Sequence, residues 1–127
     1  EVAQRVCAPP GSKTYGILSV LIQAFYSAEF LFSLSPNHFN PPPKVNSGVI
    51  RLTKKSNINI DCDQELFFKI VKTSFQQRRK TLRNSLKSFN LPNNIKEGAI
   101  FEKRPEALSV DDFILLTNII ADGTIPA

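Results

Sequence analysis

Positions 77–87 read QRRKTLRNSLK and place Arg78, Arg79, Lys80, Arg83 and Lys87 in a stretch that holds no acid. From Lys72 to Phe89 the chain carries +6, whereas the whole sequence carries +5, so everything else sums to −1. A merely solvated helix face usually interleaves both signs, because opposite charges four residues apart stabilise a helix and like charges destabilise it. A single-sign stripe therefore points to a polyanion. A phosphate backbone is the first candidate, since each phosphate neutralised releases counterions. The stripe by itself does not separate RNA from DNA, and a membrane surface fits less well because the apolar residues beside it are needed for a core.

A second group of chemically useful residues is HFNPPPKV at 38–45. Three prolines fix φ near −65°, so Phe39 before them loses little freedom when something docks on it. An aromatic in a stiff loop can stack on a nucleobase; it can also be a core side chain beside an inert connector. Lys44 can reach a phosphate or the loop's own carbonyls. Groups for covalent chemistry are scarce. His38 stands without an acidic orienter, which argues against general-base work. Cys7 and Cys62 have no second Cys or His at metal-ligand spacing and read as reduced thiols. The glycines at 11, 16, 48, 98 and 123 are isolated, with no G-x-G.

These residues need elements to hold them. Tyr15 to Phe25, YGILSVLIQAF, spaces Ile17, Leu18, Leu21, Ile22 and Phe25 as a buried helix, opened by Ser12 after Pro9, Pro10 and Gly11. Alternation then predicts a strand from about Glu29 to Leu34, stopped by Pro36, and SGVIRLTKK predicts a second. The two form an antiparallel pair that is unstable alone, so something else must cover it. SNINIDCDQ is a polar connector and a candidate boundary. Beyond it, Asp61 with Gln64 reads as an N-cap pair before Leu66, Phe67, Ile70, Val71 and Phe75. On one continuous helical wheel Phe75, Leu82, Leu86 and Phe89 face inward, while Arg79, Lys80, Arg83 and Lys87 line the flank. Asn90, Pro92, Asn93 and Asn94 break that run. A last helix starts at Ser109, capped with Asp112, and buries Phe113, Leu116, Ile119 and Ile120.

The 127 residues fit one ordinary domain or a piece of a larger protein. With 42% hydrophobic and 21% charged residues the chain should fold around a small core. No apolar run approaches the roughly 20 residues of a membrane span, and EVAQR is not a signal peptide start, so a cytoplasmic chain without a membrane partner is expected. The sequence has no Met, position 1 included, and so reads as a fragment.

EVAQR, YG-x-LSV-x-x-Q, F-x-PPPKV-x-S, QRRKTLRNSL and RPEALSVDDF, in this order, resemble the C-terminal half of the KsgA-type small-subunit rRNA adenine dimethyltransferases, whose catalytic fold is shared by the Erm methylases. The resemblance covers essentially the whole chain. It implies an α+β fragment: the last helix and antiparallel strand pair of a Rossmann-like methyltransferase domain at 1–56, then a small all-α domain at 57–127. It also implies S-adenosylmethionine as methyl donor, dimethylation of N6 on adjacent adenines near the 3′ end of small-subunit rRNA, and the small ribosomal subunit as partner. On the same template Phe39 stacks on the flipped adenine, and Lys44, Arg78, Arg79, Lys80, Arg83 and Lys87 contact rRNA. Stacking is worth about 1–3 kcal/mol and would roughly offset the cost of flipping.

The family's Gly-rich cofactor turn, ribose-binding acid and N-L-P-[YF] motif have no counterpart here. Asn90-Leu91-Pro92-Asn93 copies three letters of that motif but follows a helix, and reads as a helix-ending turn. The fragment alone is therefore expected to hold no catalytic or cofactor residue, to be inactive, and to self-associate through exposed sheet edges. A non-enzymatic rRNA-binding or ribosome-assembly module and an Erm-type large-subunit enzyme are the alternatives.

Overall fold

The computed structural model describes residues 2–38, 47–55 and 62–122. Helix α1 (Val2–Cys7) leads through a proline turn to α2 (Ile17–Phe25). Strand β1 (Tyr26–Leu34) follows with no loop between them. Helical bonding stops because Tyr26 turns extended, φ −131° and ψ 146°, while its N–H still donates to Ile22 O. β1 pairs antiparallel with β2 (Ser47–Lys54), from Tyr26 opposite Lys54 to Leu34 opposite Ser47. The expected pairing is present, but β1 starts three residues before Glu29, since the backbone of Lys54 and Lys55 offers partners up to Phe25 O.

The simple alternation of Phe30, Leu31, Phe32 also fails. A register shift lies between Phe30, opposite Ile50, and Phe32, opposite Val49, so Leu31 is an extra residue. All three side chains are substantially exposed. α1 lies against both strands and supplies part of the cover that a two-stranded ribbon needs. The approach is close at Gly48, where a Cβ would stand 2.6 Å from the Ala3 Cβ and 2.9 Å from a Phe30 ring carbon. Only a residue without a side chain fits under α1 there.

The second half is helical: α3 (Gln64–Gln76), α4 (Leu82–Ser85), α5 (Asn93–Lys96) and α6 (Val110–Asp122), with short 3-10 turns between α4, α5 and α6. α6 begins on the reciprocal cap its sequence announced, Asp112 N–H to Ser109 Oγ at 3.1 Å and Ser109 N–H to Asp112 Oδ2 at 3.0 Å. The cap of α3 is corrected. Asp63, not Asp61, accepts from the N–H groups of Glu65 and Leu66, and Asp61 lies outside the described residues. One core crosses the polar connector: Tyr15, Val20 and Ala24 join Phe67, Ile70, Leu82, Leu86, Phe113 and Leu116.

The continuous helix expected over the basic segment is overturned. α3 ends at Gln76, residues 77–80 form a turn, and a separate α4 starts after an extended Thr81 (φ −67°, ψ 160°). Two remote bonding partners break it. The Arg78 guanidinium is drawn to the carbonyls of Ser12 and Tyr15. The Leu82 N–H donates to Lys103 O at 2.9 Å instead of to the preceding helical turn. The inward set is nevertheless as expected, with Leu82 and Leu86 buried and Phe75 and Phe89 packed partly against the core.

Candidate nucleic-acid interface

The break at 77–81 divides the basic residues into three environments. Arg78 is a strut. Its Nη1 donates to Tyr15 O at 2.6 Å, its Nη2 to Ser12 O at 3.1 Å, and Glu106 Oε2 lies 3.5 Å from Nη2. The guanidinium also sits 5.9 Å from the centre of the Phe75 ring. These contacts set it apart from the other cations of the segment, although its side chain stays about a third exposed.

Arg83 is exposed but ion-paired with Glu102, an acid far along the chain that a local wheel does not bring in. At such exposure the pair contributes little stability. Arg79, Lys80 and Lys87 are exposed and form no ion pair with any described residue. Lys72 is exposed on α3, and the Lys69 ammonium lies 5.7 Å over the Phe89 ring.

Lys80 and Lys87 are brought together. They line one polar cleft of about 560 Å³ between the end of α3 and α4, along with Thr73, Gln76, Gln77, Asn84, Ser85 and Ser88. Sequence reasoning passed over Ser85. The available signal was its position next to Leu86 and three residues after Leu82, where a buried hydroxyl is out of place. Phe39 and Lys44 lie outside the described residues, as do the prolines between them. His38 ends a short 3-10 turn, Pro36–His38, that follows β1.

Two further clefts flank the helices. One, about 530 Å³, opens between α1 and the start of α2 and is lined by Arg5, Lys13, Thr14, Ser19 and Arg78 among others; the other, about 230 Å³, is apolar and lies between α5 and α6. The Asn90–Asn93 segment is a turn: Asn90 adopts the left-handed conformation (φ 53°), its N–H donates to Lys87 O, Leu91 is buried and Pro92 precedes α5. Burial, with the Glu29 carboxylate adding to it, pushes the Cys7 thiol up, away from nucleophilic thiolate.

Residues 1–122 match the sequence model of the family described as ribosomal RNA adenine dimethylase. The chain belongs to that family. Among curated relatives of this dimethylase family, the chain is 61% identical over 124 residues to "Ribosomal RNA small subunit methyltransferase A" of Flavobacterium johnsoniae, covering 97% of this chain and 48% of that protein. It is 57% identical over 126 residues to the protein of the same name from Bacteroides thetaiotaomicron, covering 97% and 46%. The chain thus spans about half the length of the curated relatives it matches. Its fold is similar to that of a dimethyladenosine transferase from Plasmodium falciparum (TM-score 0.77, 23% identity, 96% of this chain and 55% of the other). A 23S rRNA methyltransferase, ErmE, is less similar (TM-score 0.58, 18% identity, 91% and 50%).

Methyltransferases of this dimethylase family use S-adenosylmethionine in general, and the described residues do not fit it. None of the three clefts is lined by Asp or Glu to hold ribose hydroxyls. The Gly16 N–H at the start of α2 is already taken by Ser19 Oγ at 3.1 Å. What the chain offers instead is cationic surface on a rigid helical body. Among the described residues no helix is long and apolar enough to cross a membrane.

Proposed function

We propose that this chain is the C-terminal part of an S-adenosylmethionine-dependent enzyme that dimethylates N6 of adjacent adenines near the 3′ end of small-subunit rRNA. Residues 1–56 would complete its Rossmann-like methyltransferase domain, and 57–127 would form its helical domain. The methyl donor would be held by residues outside this chain, and this chain alone would be inactive. The observation that carries the reading is family membership over residues 1–122 with 61% identity to a small-subunit methyltransferase. The names of the relatives favour the small subunit over an Erm-type, large-subunit target. Arg79, Lys80 and Lys87 supply the grip on rRNA phosphates, Arg83 contributes by leaving Glu102, Lys44 contacts rRNA, and Phe39 stacks on the target base.

The test is fluorescence anisotropy of this chain with a hairpin from the 3′ end of small-subunit rRNA at several salt concentrations. Wild type should bind more weakly as salt rises. An Arg79→Glu/Lys87→Glu variant should lose about 1.4 from the slope of log K against log salt, because each lost phosphate contact removes roughly 0.7. Sedimentation of the same samples reports dimers formed through the outer edges of β1 and β2; a clean monomer removes that partner from the reading. A folded wild-type chain that ignores the hairpin overturns the grip. Calorimetry with S-adenosylmethionine should give no binding heat, and stoichiometric binding would overturn the placement of the donor site elsewhere.

A further inference from the structure

Three phenylalanines are exposed among the described residues: Phe30, Phe32 and Phe68. The first two flank the bulge of β1, whereas Phe68 is on α3, in the helical half. α3 buries Phe67, Ile70, Val71 and Ser74, and on the helical wheel Phe68 falls beside that face, 37% exposed. The ring is nevertheless held. Its centre lies 6.3 Å from that of Phe25 and 6.0 Å from that of Phe67, with steep angles of 68° and 61° between the ring planes. An aromatic braced in this way, with surface still open, loses little freedom when a flat ligand docks on it.

The charges around it say which ligand. Lys72 follows Phe68 by four residues, so the two side chains are neighbours on the helix surface. The positions three and four away from Lys72 are Phe68, Lys69, Phe75 and Gln76, none of them acidic, and exposed Lys72 makes no ion pair among the described residues. Gln76 continues the row by another four residues and lines the cleft that Lys80 and Lys87 line. Phe68, Lys72 and Gln76 thus form one row, about 12 Å along the axis, from an aromatic to the cations of the candidate interface. Lys69 flanks the row, its ammonium 5.7 Å over the Phe89 ring. At the Phe68 end, exposed Lys55 lies beside Phe25, to whose carbonyl its N–H donates at 3.1 Å. Among the positions three and four away from Phe68 only Glu65 is acidic, and it sits in the first turn, where the helix dipole favours it. A braced aromatic followed by cations complements a nucleic-acid strand, which offers a flat base and then phosphates.

We propose that Phe68 is a stacking platform for one unpaired base of an RNA strand, and that the phosphates next to that base run along Lys72 toward the cleft of Lys80 and Lys87. The proposal rests on the rRNA-grip reading above and adds to it a base contact on α3. The cations hold any phosphate backbone, whereas Phe68 selects RNA with a base free to leave its helix. No bond is made or broken.

The probes are the 3′-end hairpin with an unpaired tail and a blunt duplex of its stem, read by fluorescence anisotropy. Phe68→Leu, which keeps apolar bulk but has no aromatic face, should weaken binding to the tailed hairpin about tenfold and leave the duplex unchanged. Phe68→Tyr should bind as wild type does. The salt slope should be the same in all three, because stacking neutralises no phosphate, whereas Lys72→Gln should take about 0.7 from it. Circular dichroism checks that each variant is folded, and NMR contacts between the Phe68 ring protons and a base in the wild-type complex give a readout that needs no variant. Hairpin binding that falls in Arg79→Glu but is unchanged in folded Phe68→Leu overturns the platform and leaves the grip standing. Equal weakening in Phe68→Tyr and Phe68→Leu, or a bound complex without ring-to-base contacts, overturns it too. An unchanged slope in Lys72→Gln removes the phosphate path. A wild-type chain that binds no RNA overturns platform and grip together, and if Phe68 is then covered by an acidic peptide or a second copy, the surface is a protein contact.

Discussion

Tyr15→Ala is expected to lower the stability of this chain by about 3–5 kcal/mol, the range for removing a large aromatic from a packed core. Tyr15 is fully buried and meets Phe75 edge-on with ring centres 6.1 Å apart. Its hydroxyl donates to Leu108 O at 2.6 Å and so ties the segment before α2 to the turn that opens α6. Tyr15→Phe should keep the packing and cost about 1–3 kcal/mol, because Leu108 O is left without its donor. Denaturant midpoints of the three proteins read both values. Equal stability of Tyr15→Ala and wild type would mean that the shared core is not what holds the halves together.

The same hydroxyl predicts an alkaline limit. Burial, and secondarily the Asp112 carboxylate, push the Tyr15 pKa from 10.0 up to about 12. The unfolded chain ionises at the lower value, so the stabilisation is fully present below about pH 10 and is lost as pH rises toward 12. Unfolding followed from pH 9 to 12 should show this slope in wild type and a shallower one in Tyr15→Phe.

Arg78→Ala is expected to cost about 2–3 kcal/mol and to leave the salt dependence of RNA binding unchanged. The estimate counts two charged bonds lost: Tyr15 O loses the guanidinium donor, while Ser12 O keeps the Tyr15 N–H at 3.3 Å. It gives little weight to Glu106, whose 3.5 Å contact is a third exposed on both sides. Arg78→Lys should recover only a small part, since an ammonium cannot fork to two carbonyls as a guanidinium does. A salt slope that falls in Arg78→Ala as much as in Arg79→Glu would return Arg78 to the RNA surface.

Arg78 also marks the boundary of what the sequence makes legible. Ser109 with Asp112, the buried face of α6 and the strand pair could be read because each depends on residues a few positions apart or on a two-residue alternation. Family membership was legible for the same reason, being carried by short ordered motifs. The break after Gln76 was not, because its causes lie far along the chain: Ser12 and Tyr15 for Arg78, Lys103 for Leu82. Leu31 is a bulge because of how β2 registers against it, which alternation alone does not encode. The candidate interface divides likewise. Its charge was plain from composition, whereas the assignment of Arg78 to the fold, of Arg83 to Glu102 and of Ser85 to a cleft required the packed chain. Phe39 and Lys44 remain expectations of the family resemblance.

The direct passage from α2 into β1 makes the molecule a gauge. α2 is held by its buried face in the helical core, and nothing elastic separates Phe25 from Tyr26. The chain leaves the sheet at Leu34, about 30 Å further on for nine extended residues. The basic turn at 77–80 is pinned through Arg78 to the residues just before α2. The span between cationic turn and strand end thus depends on counted residues, the Leu31 bulge included. A substitution in β1 changes the surface of that gauge; one inserted residue would lengthen it by about 3.3 Å and turn every later side chain to the opposite face.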